Sequence, residues 1–270
     1  MTDVTRWWAA VELGARGRAA AARTELNALD ADPGTAPAVR SLAHSTRGSL
    51  TRQAGGHAVA RAADGAACAL VATAVREGGL AGRGWTSAPW TAAAWADGLI
   101  GLAADALGIG DFRAADTLLG RTESFLDSLA DDPAADWRTL ARVRLRATWV
   151  RTEWALYSGR IVAAQAQTGR LQSAAAAVPS RRHRLKTTLI LAAIAAASDK
   201  TGDAVALAED SRRRAAAQGA LPLLWAAESM LMSLSPYPQD MASDVRRLRD
   251  ELALRGMPFA PLRPGERHGR

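Results

Sequence analysis

Eleven of the 34 Lys and Arg residues in this 270-residue chain fall between positions 138 and 186, against one acid, Glu153. That segment carries +10, the remaining residues −3, so the net +7 comes from one region. Guanidinium forks and ammonium groups gathered this way suit recognition of carboxylates or phosphates. Arg138, Arg142 and Arg146 are spaced i,i+4, so on a helix they share a face and repel one another. Something must compensate: an acidic neighbour such as Asp136 or Glu153, or an anionic ligand. Arg181, Arg182, His183, Arg184 and Lys186 follow Pro179 and Ser180, which places them in the first turn of a helix. Cations are unfavourable there because the helix dipole is positive at that end. Free backbone N–H groups beside guanidinium forks make such an end a receptor for an anion. Two readings follow: a solvated basic face with internal ion pairs, or a groove for an acidic partner.

Catalytic chemistry finds few candidates. His44, His57, His183 and His268 lack metal-ligand spacing, and His57, beside Gly55 and Gly56, reads as a helix-start residue. No Gly-x-Ser-x-Gly elbow or phosphate-binding Gly-Lys-Ser/Thr loop occurs. Asp131, Asp132 and Asp136 could suggest a magnesium motif. Pro133 instead breaks the segment into a loop, with Asp136 as N-cap of a helix beginning at Trp137. Cys68, the single cysteine, reads as a small buried residue on an Ala-rich helix. The expectation is a non-catalytic protein without metal or cofactor.

The basic residues must be positioned by helices. Trp95, Leu99, Leu102 and Ala106 form one apolar stripe, and Phe112, Ala115, Leu119, Leu126 and Leu129 the next. Gly108 and Gly110 supply the left-handed end of the first helix, and Asp111 caps the second. Gly17, Gly55, Gly159 and Gly202-Asp203 repeat the punctuation. The spacing predicts helix pairs at 3–14 with 18–31, 37–53 with 57–77, 88–107 with 111–130, 134–157 with 160–177, and 181–198 with 203–218. Two further helices follow at 220–234 and 239–255. No period-two run of β-branched residues persists, so the fold class is all-α. Most of the nine tryptophans are expected in the core, with Trp149 and Trp154 on opposite faces of their helix.

This hairpin series resembles the tetratricopeptide repeat family. The best-matching pair places Leu99, Leu102, Ala103 and Ala106 on its first helix and Gly110, Phe112, Ala115 and Leu119 on its second. The pair carrying Leu191, Ile194, Ala195, Gly202, Ala204 and Leu207 follows it. Glycine spacings of about 39, 54, 49 and 43 residues exceed the family's 34, and Pro133, Pro179 and Pro222 fall later than its proline, so the repeats are degenerate. The resemblance implies a right-handed superhelix of antiparallel helix pairs, its concave groove lined by first helices and used to bind peptides or proteins. Both basic segments sit on first helices and would face that groove. The expected organisation is N-terminal helix pairs at 1–77, a Gly-rich link at 78–87, the main repeat region at 88–255 and a disordered basic tail at 256–270. The expected protein is a bacterial, cytoplasmic adaptor or regulator from a GC-rich genome. Its site is Arg138, Arg142, Arg146, Arg181, Arg182, His183, Arg184 and Lys186, and its partner an acidic peptide or protein. Nucleic-acid binding or ligand sensing through the same patch is the alternative. The longest apolar run, Leu189 to Ala197, is too short for a membrane span, and no membrane association is expected.

Overall fold

The computed structural model describes residues 2–77, 89–130, 132, 134–236 and 238–259. The Gly-rich link, Asp131, Pro133 and the tail beyond Phe259 lie outside the described residues. The chain forms α1 (Asp3–Ala15), α2 (Ala19–Ala31), α3 (Pro37–Gln53), α4 (His57–Glu77), α5 (Pro89–Gly108) and α6 (Phe112–Asp127). It continues as α7 (Leu140–Tyr157), α8 (Ile161–Ala166), α9 (Thr168–Ala176), α10 (Arg181–Ala197), α11 (Thr201–Gln218), α12 (Leu221–Leu234) and α13 (Pro238–Leu254). Among the described residues there is no strand, so the chain is all-α.

Local chemistry explains most boundaries. Asp111 accepts from the backbone N–H of Ala114 at 3.0 Å, capping α6 as its sequence position predicts. Gly110 before it takes φ 83°, a conformation that a side chain disfavours. Gly17, Gly55 and Gly159 also take positive φ, but at the fifth joint the left-handed residue is Asp199 (φ 57°), and Gly202 sits inside α11. Asp136 does not cap a helix at Trp137. Its Oδ1 accepts from the N–H of Arg138, two residues on, and Thr139 N–H bonds back to Asp136 O, so a turn precedes α7. The helix expected over 160–177 is broken at Gln167 into α8 and α9.

Consecutive helices pack against each other, and α5 also touches α3 and α7. One hydrophobic core runs from α4 through α10, around Ile100, Leu119, Leu145, Trp149 and Leu171. A second joins α1, α2 and α3 to the other end of the chain, through Trp7, Leu26, Leu42, Leu252 and Met257. Gly17 lies against Leu252 and Leu221, Ala20 N–H donates to Arg255 O at 2.9 Å, and Arg23 donates to Gly256 O. The first and last helices therefore meet. Met257 is buried and Phe259 packs on Trp225, so residues 256–259 belong to the folded body and not to a disordered tail. One helix among the described residues, α4, is long and apolar enough to cross a membrane by length and composition. It packs along α3 and α5 and carries the buried Asp64.

Candidate functional site

Where the two ends meet, α1, α3, α5, α7, α10 and α12 surround a cavity of about 740 Å³. Helical spacing puts Arg142, Arg146, Trp149, Val150, Glu153 and Tyr157 of α7 on its wall, and Arg182, His183 and Lys186 of α10 beside them. Trp7, Trp8 and Val11 of α1, Arg52 of α3, and Leu223 and Trp225 of α12 complete the main surfaces. Of the sequence-predicted site, Arg142, Arg146, Arg182, His183 and Lys186 thus converge on one cavity. The other three lie elsewhere. Arg138 belongs to the turn before α7, held by Asp136 at 2.5 Å and lying over the rings of Trp8 and Trp90. Arg181 and Arg184 are exposed, and Arg184 donates to Val178 O at 3.3 Å. The α10 N-terminus is occupied by Ser180, whose Oγ accepts from His183 N–H and pairs with His183 Nδ1 at 2.7 Å.

The compensation expected for the clustered arginines comes mainly from far along the chain. Asp97 of α5, 1% exposed, takes Arg142 at 2.8 Å and Arg146 at 2.5 Å, bridging the two cations one turn apart on α7. Two turns on, Asp105 meets Arg52 at 2.5 Å, and the same Arg52 Nη1 reaches Asp64 of α4 at 2.8 Å. Between the two aspartates Gly101 leaves room for Asp64: a Cβ there would stand 2.1 Å from Asp64 Oδ1. Two buried carboxylates thus share one guanidinium. Burial, only partly offset by Arg52, pushes the Asp64 carboxyl up to about 7. Asp105 moves in the same direction for the same reason.

Lys186 pairs with Glu153 at 3.3 Å and lies 4.8 Å from the centre of the Trp149 ring. His183 stacks near Trp149 and Trp8, at 5.4 and 6.5 Å, with Trp137 edge-on at 5.9 Å. Burial, then the field of Arg182, Arg142, Arg146 and Lys186, drives its pKa down to about 2. It is a neutral aromatic plate here, not a further cation. Arg182 differs from the other cations on the wall. It makes no ion pair or hydrogen bond among the described residues, and burial and the neighbouring Arg146 and Arg142 disfavour its charge, with Glu12 of α1 opposing them. Four further buried nitrogens on the cavity side chains lack partners: the donors Arg52 Nη2, Arg142 Nη2 and Trp225 Nε1, and the ring nitrogen His57 Nδ1. Cys68 faces Gly98, away from the cavity lining, its thiol pushed up to about 12 by burial and Asp64.

Sequence spacing missed Arg52, Asp97 and the tryptophans of α1 and α12. A signal for the buried acids was present: α5 carries two charged side chains in 20 residues, Asp97 and Asp105, eight apart on one face of an otherwise apolar helix. Acids inside such a helix are found paired. What the arrangement can do is bind: it offers donors and cations beside flat apolar surface, in a volume suited to a compact ligand. Comparison of the chain with protein-family models, with curated proteins and with solved structures finds no match.

Proposed function

We propose that this chain is a non-catalytic binding protein, a tetratricopeptide-like right-handed superhelix whose inner face is the cavity described above and whose ligand is acidic. The observation that carries the reading is Arg182. A guanidinium without a counter-ion, set beside Arg142, Arg146 and Lys186 in an otherwise paired interior, fits a missing anion better than a structural role. A carboxylate entering there gains charge-assisted hydrogen bonds in a medium of reduced dielectric. The tryptophan and leucine walls supply the apolar contact that gives a small ligand most of its affinity. The volume of about 740 Å³ favours a compact occupant, either a free organic acid or the acidic end of a peptide, which share the carboxylate chemistry. Arg181 and Arg184 point the exposed basic surface elsewhere, and phosphate-backbone binding would rest on them rather than on the cavity.

The test is a thermal-shift and calorimetric titration of the full chain at low salt with organic acids, acidic peptides and an oligonucleotide, run in parallel on Arg182→Gln. Saturable stabilisation by acids that the substitution removes supports the reading, and the free-acid and peptide arms identify the source. Equal response of the two proteins, or response to the oligonucleotide alone, overturns it.

A further inference from the structure

The unpartnered polar atoms on the cavity side chains define the ligand more closely than charge alone. Arg52 Nη2, Arg142 Nη2 and Trp225 Nε1 are buried without an acceptor, and the Arg182 guanidinium has none among the described residues. These are all N–H donors, and they come from four helices, α3, α7, α12 and α10. Arg142 is 3% exposed, so bulk water does not reach most of it. The unpartnered carboxylate oxygens of Asp64 and Asp105 belong to residues that do not line the cavity. Of the buried unpartnered atoms on lining residues only His57 Nδ1 of α4 can also accept, so the demand on a ligand falls mainly on acceptors, on more than one of its sides. A single carboxylate presents two oxygens and is satisfied by one guanidinium fork. Donors spread over four helices exceed what one such group takes up. The same wall carries the aromatic rings of Trp7, Trp8 and Trp149, with Lys186 over the Trp149 ring.

We infer that the cavity is built for a diacid: a flat apolar body with a carboxylate at one end held by Arg182 and Arg142, and a second acceptor group at the other end that takes the Trp225 indole N–H. This rests on the binding reading above and narrows it to a ligand class. The flat body lies along the tryptophan faces, where stacking adds to the area buried. The second acceptor is what separates this ligand from an ordinary monoacid, because a buried N–H left without an acceptor opposes binding of any molecule that strips its water.

Isothermal titration calorimetry on the full chain tests it with matched pairs: terephthalate against benzoate, and the long-axis dicarboxylates of naphthalene and biphenyl against their monocarboxylates. At the length that fits, the dicarboxylate binds at least about tenfold more tightly than its monocarboxylate, the effect expected of one added buried hydrogen bond to a charged group. Trp225→Phe keeps an aromatic ring against Phe259 but removes the donor, so it weakens the dicarboxylate more than its monocarboxylate and narrows that gap. Arg182→Gln weakens both members of a pair. Equal affinity of mono- and dicarboxylates at every length overturns the diacid inference and leaves the acidic-ligand reading standing. Absence of binding by all six acids, with both proteins folded by their thermal transitions, overturns both.

Discussion

Replacing Arg182 by Gln should make the empty protein more stable, not less. The charge of Arg182 is opposed by burial and by Arg146 and Arg142, and favoured by Glu12, so its like-charge neighbours outnumber its opposite one. Two unit charges about 8 Å apart interact by about 2 kcal/mol at an effective dielectric of 20. Glu12 is the strongest single charge acting on Arg182, and the two arginines together oppose it, so the net repulsion is at most about one such interaction. Arg182 is only partly buried, and solvent screening reduces the interaction, so about 1 kcal/mol is the working figure. In a chain of this size 1 kcal/mol corresponds to about 2 °C in Tm. Differential scanning calorimetry at low salt without organic acid should therefore place Arg182→Gln about 2 °C above the parent. Saturating ligand reverses the order, because a ligand at a hundred times its Kd stabilises the parent by about 2.7 kcal/mol and the variant by much less. A variant that melts lower than the parent in the absence of ligand would refute the reasoning, since Arg182 would then be holding a stabilising partner. The trade of stability for a binding charge is the pattern expected at a functional site.

Other consequences are open to direct measurement. Gly101→Ala forces a Cβ into Asp64 and should cost about 1–3 kcal/mol by overpacking, whereas Gly202→Ala, helical and with open space around it, should gain about 0.5–1 kcal/mol; urea unfolding of the two gives opposite shifts in midpoint. Asp97→Asn removes the shared counter-ion of Arg142 and Arg146 and should destabilise by about 3–5 kcal/mol, seen as a lower urea midpoint. The raised Asp64 carboxyl sets a pH dependence of definite sign. The folded state keeps a proton up to about pH 7 that the unfolded chain releases near 3.8, so this group's contribution to stability falls as pH rises between those values. Asp64→Asn should flatten that slope in urea titrations across the same window, with Asp105, shifted in the same direction, leaving a residual. A slope that rises with pH in the parent and is unchanged in the variant would place the proton elsewhere.

The sequence by itself determined the helices and most of their joints. Apolar periodicity and helix caps act through hydrogen bonds that span four residues, so Asp111, Ser180 and the positive-φ glycines 17, 55, 110 and 159 could be read directly. Where a side chain competed locally the reading slipped: Asp136 turned its carboxylate to Arg138 and delayed α7 to Leu140, and Asp199 took the left-handed role expected of Gly202. The sequence also showed that basic charge is concentrated between 138 and 186, and that Arg142 and Arg146 need a counter-charge. It did not show which acid answers them. Asp97 lies 45 positions before Arg142, and only the packing of α5 against α7 brings the two carboxylate oxygens to the two guanidinium groups. The same holds for the cavity. Trp7 and Trp8 near one end of the chain and Trp225 and Leu252 near the other become one wall because α1 and α2 meet α12 and the end of α13. Contacts between residues hundreds of positions apart leave no periodic mark on the sequence, so burial at that junction, and with it the unpaired state of Arg182, was decided by the tertiary structure alone.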